Sequence, residues 1–131
     1  MEGLFGSGLL QAGGVLTTNL TTGQQWDAPN SWPPVLHVLA SGLSRAEQVL
    51  RASKDRISGS AEAPRPQAEA CARELSRRYL DSASCAWRET GYLFEKYDAV
   101  APCAGGGGGE YVPQRGFGWT LGVALDLAAS Y

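Results

Sequence analysis

Three stretches of the chain repeat apolar residues at intervals of three and four, the spacing that places them on one face of an α-helix. They cover residues 33–52, 67–88 and 118–130. The second stretch is the clearest amphipathic helix, because its charged residues lie mostly off the apolar face. That apolar face comprises Ala68, Cys71, Ala72, Leu75, Tyr79, Ala83, Ala86 and Trp87. The pattern predicts three helices.

The segments around these helices are rich in glycine, proline and threonine, which favour loops. Residues 1–24 are predicted to be a loop, residues 53–66 a connector, and residues 92–112 a long loop with five consecutive glycines. Only residues 111–112 suggest a short extended piece. The sequence therefore predicts an all-α fold whose helices are joined by long, glycine-rich loops.

The charge balance excludes two classes of partner. The 131 residues hold 11 basic and 13 acidic side chains, which gives a net charge of -2 and an isoelectric point near 5.3. Such a chain has no electrostatic footprint for nucleic acid or an anionic membrane surface. The segment of residues 1–10 is short and glycine-rich, so we expect neither a signal peptide nor a membrane span there. The compartment is not indicated.

The cysteines and the single histidine do not suggest a metal site. Cys71, Cys85 and Cys103 cannot all pair within one chain. Cys71 and Cys85 fall on one predicted helix, roughly 21 Å apart at about 1.5 Å per residue, whereas a disulfide needs Cα atoms within about 7 Å. We expect both to pack as small apolar residues, and His37 to be an ordinary core or exposed residue. No metal is predicted, because metal-ligand spacings are missing from the sequence.

Residues 23–34 combine aromatic and polar side chains in a proline-rich loop. The stretch holds two tryptophans, two glutamines, one aspartate and three prolines. A pyranose ring packs its C–H face on an indole, while amides and carboxylates bond to its hydroxyls. Gln25, Trp26 and Asp27 are therefore candidate sugar-binding residues. The alternative is a tryptophan-rich loop that packs on the start of the following helix.

Four segments of the chain carry, in the same order, the motifs of one enzyme family. The first is the signature Gln-Trp-Asp-x-Pro-x-x-Trp-x-Pro, whose defined positions are filled by Gln25, Trp26, Asp27, Pro29, Trp32 and Pro34. Residues 94–98 are similar to the family's Glu-Lys-Tyr-Asp segment, residues 105–111 to its glycine run ending in Gly-Glu-Tyr, and residues 114–123 to its Gln-Glu/Asp-Gly-Phe-Gly-Trp-Thr-Asn-Gly-Val. The chain therefore resembles the trehalases, inverting glycoside hydrolases that split α,α-trehalose into two glucoses.

The resemblance implies a particular fold and an incomplete enzyme. Trehalases are (α/α)6 barrels, and every matched motif belongs to their C-terminal part. Residues 1–131 are thus expected to be a C-terminal fragment of the catalytic domain, because the family's Pro-Gly-Gly-Arg-Phe signature and its acid-bearing segment are missing from this sequence. The substrate implied is trehalose, with no metal or organic cofactor. The missing N-terminal part would be required for activity, and the isolated chain would be inert.

The resemblance also assigns site residues. An inverting glycosidase needs a general acid and a general base, and the matched position makes Glu95 the base. The matched position of Glu110 hydrogen-bonds sugar hydroxyls. Without the motifs, Glu95 would be interpreted as a solvated carboxylate and the glycine run as a linker; the run lacks the Gly-Lys-Ser/Thr of a phosphate loop. Two departures lie nearby: Arg115 replaces an acidic residue, and Leu121 replaces an asparagine.

Two other functions compete with this interpretation. The chain could be an inert, truncated carbohydrate-binding or regulatory fragment that lacks the general acid but keeps the surface of Trp26 and Glu110. It could also belong to another (α/α)6 glycosidase, such as a glucoamylase-like enzyme. The motif at residues 25–34 argues against that second alternative.

Overall fold

The computed structural model describes residue 4, residues 6–57 and residues 67–130. Within them lie three helices: α1 (Pro33–Ile57), α2 (Gln67–Thr90) and α3 (Gly118–Ser130). All three predicted helices are confirmed, and α3 has the predicted bounds. None of these helices is both long and apolar enough to cross a membrane.

The first two helices end later than the sequence pattern predicts. Helix α1 continues past residue 52 to Ile57, so the predicted connector begins too early. No glycine or proline interrupts residues 53–57, and the helix therefore has no local reason to stop there. The rest of that connector, residues 58–66, lies outside the described residues. Helix α2 continues past residue 88 to Thr90 and is followed by Gly91 at a φ of 76°, a helix-ending conformation that glycine adopts readily.

Four strands of two residues each accompany the helices. In one sheet, β1 (Leu10–Gln11) pairs antiparallel with β2 (Gly14–Val15). In the other, β3 (Asn30–Ser31) pairs antiparallel with β4 (Tyr97–Asp98). The predicted all-α class is confirmed, because strands of two residues each contribute little structure beside the three helices. The prediction of a short extended piece at residues 111–112 was wrong, because no strand forms there.

The core lies where the three helices meet the second strand of each sheet. Its buried members are Val15, Leu36, Cys71, Leu75, Tyr79, Ala83, Ala86, Tyr97, Val123 and Leu127. The apolar face predicted for α2 is largely confirmed. Trp87 is the exception and is 57% exposed, because it is turned about 100° around the helix from buried Ala86. The arrangement is consistent with part of an (α/α)6 barrel.

Several large apolar side chains on the outer side of the helices remain exposed. We call this set the outer apolar positions: Val38 (72% exposed), Val49 (58%), Leu50 (57%), Trp87 (57%) and Leu125 (72%). They lie on α1, α2 and α3, so no single helix accounts for them. The apolar pattern of the sequence predicted more burial for α1 and α3 than these residues have within this chain.

The cysteines only partly follow the sequence prediction. Cys71 is a free, buried thiol whose pKa is raised by burial, as expected for a small apolar residue. The prediction for Cys85 was wrong, because Cys85 forms a disulfide with Cys103 at a Cα separation of 5.1 Å. The spacing argument excluded a bridge only within α2, whereas Cys103 lies in the loop that follows. The disulfide ties the end of α2 to that loop.

Polar contacts join elements that are distant in the sequence. The ring of His37 on α1 lies 2.7 Å from the carboxylate of Asp126 on α3. Arg78 on α2 donates one hydrogen bond to Glu74 at 2.7 Å and another to the Gln11 carbonyl at 2.8 Å. The second bond fixes the β1–β2 hairpin against α2, next to the segment that carries the candidate site.

Candidate functional site

Two loops meet beside the β3–β4 sheet. The first, residues 23–34, we call the tryptophan loop, and the second, residues 105–111, the glycine loop. The sheet joins β3, which is part of the tryptophan loop, to β4, which precedes the glycine loop; Asn30 lies opposite Asp98 and Ser31 opposite Tyr97. The motifs that the sequence separates by two long helices are therefore brought together by main-chain pairing.

Glu95 lies in the segment just before β4, and its carboxylate is buried, with 5% of the residue exposed. Its Oε2 accepts a hydrogen bond from the Gln114 main-chain N–H at 2.9 Å, and its Oε1 accepts one from the Tyr111 hydroxyl at 3.2 Å. Thr120, in the first turn of α3, donates to the Glu95 carbonyl at 3.2 Å. Glu95 is thus held in a fixed orientation, and both of its carboxylate oxygens already have a donor from the chain.

Glu110 ends the glycine run and has different surroundings. It is exposed, and its carboxylate forms no hydrogen bond or ion pair with residues 6–57 or 67–130. The next residue, Tyr111, donates its hydroxyl hydrogen to Glu95, which fixes the loop immediately after Glu110. Burial and the Glu95 carboxylate raise the pKa of Tyr111, so the phenol keeps the proton that it donates. The two carboxylates therefore belong to one hydrogen-bonded segment, but only Glu110 is open to solvent.

The two tryptophans of the tryptophan loop form a stack. Their ring centroids are 4.1 Å apart with an angle of 16° between the planes. Trp32 is 1% exposed and donates its indole N–H to the Gln25 carbonyl at 2.9 Å, and Trp119 packs edge-on against it at 5.5 Å. Trp26 is 40% exposed. Trp32 is therefore a core residue, whereas Trp26 rests on the core and remains accessible.

The polar residues beside Trp26 differ in how far their groups are already bonded. The Asp27 carboxylate accepts hydrogen bonds from Thr18, at 2.9 Å, and from Thr22. It therefore anchors the preceding loop. The Gln25 side-chain Oε1 is buried and has no hydrogen-bond partner among the residues that the structure describes. Sugar binding by Gln25 and Asp27 stays a prediction. Of the two side chains, Asp27 is already hydrogen-bonded through its carboxylate, whereas the Gln25 Oε1 is not.

The glycine loop packs directly on the tryptophan loop. Gly108 and Gly109 have φ angles of 79° and 82°, which favour glycine. A Cβ at Gly108 would lie 2.6 Å from the Gly23 carbonyl oxygen, and one at Gly109 would lie 2.8 Å from the Gln25 Cβ. The Gly109 N–H donates to the Gly23 carbonyl at 2.9 Å. The glycines thus allow a close backbone approach, which a mere linker would not need.

Lys96 is completely buried between the two loops. Its ammonium donates to the carbonyls of Gln25 at 3.4 Å and Gly108 at 3.3 Å. It also faces the rings of Trp32 and Tyr111, at 5.2 and 5.6 Å from their centroids. Burial lowers the pKa of Lys96, and the neighbouring Glu95 carboxylate opposes that shift. Lys96 was not among the site residues predicted from the sequence, although a lysine among aromatic motifs was a usable signal for a cation–ring contact.

The two departures from the family motif lie at the margin of this arrangement. The Arg115 guanidinium sits 5.0 Å from the centroid of the Tyr92 ring. No ion pair joins Arg115 to Glu95 in the described parts of the chain. Leu121 is 41% exposed in the first turn of α3. The charge introduced at Arg115 is therefore accommodated by an aromatic ring rather than by the candidate site.

One side-chain cluster among the described residues has the composition of a metal site. Cys85, Glu89 and Cys103 place three possible ligand atoms within 4.8 Å of one another. The two sulfur atoms are bonded to each other, however, so they are not the thiolates that a metal would need. This cluster is a disulfide with a carboxylate beside it.

Known proteins match this chain over nearly its whole length. A family model described as Trehalase matches residues 1–131. The chain is 43% identical to a trehalase of Tenebrio molitor over 115 residues, 88% of this chain and 18% of that protein. It is 42% identical to a probable trehalase of Oryza sativa subsp. japonica over 127 residues, 97% of this chain and 20% of that protein. A periplasmic trehalase of Xanthomonas campestris is 40% identical over 123 residues, 94% of this chain and 18% of that protein. The chain thus spans about a fifth of the length of these relatives.

Proposed function

Because this chain belongs to the trehalase family, we propose that it forms the base-bearing, C-terminal part of an enzyme that hydrolyses α,α-trehalose to two glucose molecules with inversion. The observation that carries the proposal is the contact between the tryptophan loop and the glycine loop, which brings an exposed indole and two glutamates into one region. Inverting hydrolysis needs two carboxyl groups about 6.5–9.5 Å apart. In this proposal the acid comes from the missing N-terminal part, which also completes the barrel.

Two carboxylates of this chain can supply the base. The sequence motif predicts Glu95. A base must hydrogen-bond the attacking water, and the Glu95 oxygens already accept bonds from Gln114 and Tyr111. Glu110 is exposed and lies in the glycine loop, directly after the last of its five glycines. This difference favours Glu110 as a second candidate, in which case Glu95 would hold the segment around it.

The remaining site residues have binding roles in the proposal. The accessible part of Trp26 packs against a glucose ring. Gln25, whose Oε1 is buried and has no partner among the described residues, bonds a sugar hydroxyl once its side chain turns outward. The alternative of an inert carbohydrate-binding fragment rests on the same surface, because binding through Trp26 and Glu110 needs no general acid. Turnover, rather than binding, therefore distinguishes the two functions.

A chimeric protein tests the proposed function. The matched segment of the Tenebrio molitor relative is replaced by this chain, which gives what we call the completed enzyme. Inversion at one glucose of α,α-trehalose should release one β- and one α-glucose per molecule, and proton NMR before mutarotation measures their ratio. The unmodified relative is the control. Release of α-glucose alone would contradict inversion. Binding of trehalose without hydrolysis would contradict the base-bearing role and would leave this chain only a carbohydrate-binding role.

The two stacked tryptophans give a matched pair of variants. Trp32→Ala should lower the free energy of unfolding of the completed enzyme by about 3–5 kcal/mol, because it removes a buried ring from the core. Trp26→Ala removes a ring that is 40% exposed, so the melting temperature should change less while affinity for a trehalose analogue falls. Thermal melts and calorimetric titration measure the two effects. A large melting shift with unaltered affinity in Trp26→Ala would remove Trp26 from the binding site.

A further inference from the structure

The ammonium of Lys96 connects two loops whose contact residues are far apart in the sequence. Its bond to the Gln25 carbonyl spans 71 positions, and its bond to the Gly108 carbonyl spans 12. We propose that Lys96 is a positioning residue that locks the tryptophan loop onto the glycine loop in the sugar-binding arrangement. The proposal rests on the proposed function for its effect on catalysis, but not for the contact between the loops.

A lysine suits this position better than a neutral side chain. An ammonium has three donors and no acceptor, and Lys96 is surrounded by two carbonyl oxygens and two aromatic rings. A buried charge is costly unless it is paired or solvated by polar groups, and a cation within about 6 Å of a ring centroid is attracted to the ring face. Each loop supplies one carbonyl and one ring. Both loops must therefore be in place for the ammonium to be fully surrounded.

The contacts of Lys96 lead directly to the residues proposed to bind and react. Its Gln25 carbonyl, which also accepts the Trp32 indole N–H at 2.9 Å, immediately precedes Trp26. On the other side, the Gly108 carbonyl lies shortly before Glu110. The Tyr111 ring that faces the ammonium carries the hydroxyl bonded to Glu95. Removing the ammonium should therefore loosen the sugar platform and both candidate carboxylates at once.

The carbon chain of Lys96 also shapes the contact. A Cβ at Gly106 would lie 2.9 Å from the Lys96 Cγ, so the glycine loop runs tightly over the stem of this side chain. The Gly106 N–H donates to the Lys96 carbonyl at 2.9 Å. Because the stem itself fills space, a test must remove the donors while leaving an unbranched side chain in place.

Lys96→Met in the completed enzyme makes that change. We expect faster hydrogen exchange in peptides covering residues 23–27 and 105–111, with unchanged exchange in α3. The loosened sugar platform should raise KM, and the displaced carboxylates should lower kcat, because a small displacement of reacting groups is costly. Together these effects should lower kcat/KM for trehalose by about 10- to 100-fold. Arg115→Met removes the same charge from an exposed side chain held against Tyr92, and it should change neither exchange in these peptides nor KM.

Further outcomes decide the proposal. Lys96→Gln keeps a shorter, neutral donor and should give an intermediate exchange rate, which protects the test against a methionine variant that folds poorly. Unchanged exchange in both loops of Lys96→Met, or faster exchange spread evenly over all three helices, would overturn the locking role. If the completed enzyme folds but does not hydrolyse trehalose, the proposed function fails, while the exchange comparison still decides whether Lys96 locks the loops.

Discussion

Replacing the general base by glutamine should lower trehalose hydrolysis by the completed enzyme at least about 10²-fold, because an amide cannot take the proton from the attacking water. Glu95→Gln and Glu110→Gln make the same change at the two candidate carboxylates and are therefore each other's control. Glutamine at position 95 can still accept the Gln114 N–H bond through its carbonyl oxygen. The variants thus remove a charge and a proton acceptor with little change in side-chain size.

The pH profile separates the base from a carboxylate that only supports it. Losing the base should abolish the acidic limb of the kcat/KM profile, since that limb reports ionisation of the base in the free enzyme. Losing a support should lower the rate but keep the limb. Near-normal turnover by Glu95→Gln would remove Glu95 from the mechanism. Near-normal turnover by both variants would contradict the proposal that this chain carries the base.

The second large effect is expected from the chain alone. Residues 1–131 should be oligomeric, aggregated or molten and should show no trehalase activity. The outer apolar positions are exposed on all three helices, and apolar patches beyond a few hundred Å² promote association. Leu75 and Tyr79 do not contribute to such a patch, because both are buried in the chain's own core. The expectation therefore rests on the outer apolar positions.

Light scattering, thermal melting and a glucose assay measure this outcome together. A soluble monomer with a sharp, cooperative melt and trehalase activity would contradict it in full. Leu125→Ser changes a residue that is 72% exposed and should reduce association. The same change at Leu127, which is 1% exposed, should instead destabilise the fold, because it removes a buried side chain. If the proposed function holds, the part of a relative that this chain does not cover should restore activity in trans, because in that proposal it supplies the acid and the neighbouring helices.

The helices could be predicted from the sequence because their apolar residues repeat over many turns. Helix α2 is the clearest case, with Leu75 and Tyr79 at positions that share one face and are buried. The β3–β4 pairing could not be predicted in this way, because two residues are too few to show an alternation. Its register depends on which main-chain groups remain unpaired when the helices pack.

The candidate site was predictable as a set of residues but less so as an arrangement. The motifs indicated Trp26, Glu95 and Glu110, and the structure places their segments in contact. The exposure of each carboxylate, however, depends on the Tyr111 and Gln114 donors that reach Glu95 across a loop. Such bonds follow from chain packing and have no local signature. The partner of Cys85 was missed for the same reason.

The contact between Lys96 and the tryptophan loop also sets an order in time. The ribosome completes residues 23–34 and both long helices before the ammonium that joins Gln25, 71 positions later, is made. Contacts between distant residues form late, because the intervening chain must first be ordered. During synthesis the tryptophan loop is therefore made before the residues that contact it. The indole of Trp32 cannot yet contact Lys96 or Trp119. A chain that ended before Lys96 would contain the tryptophan loop but not the glycine loop, so the proposed sugar-binding region would not form.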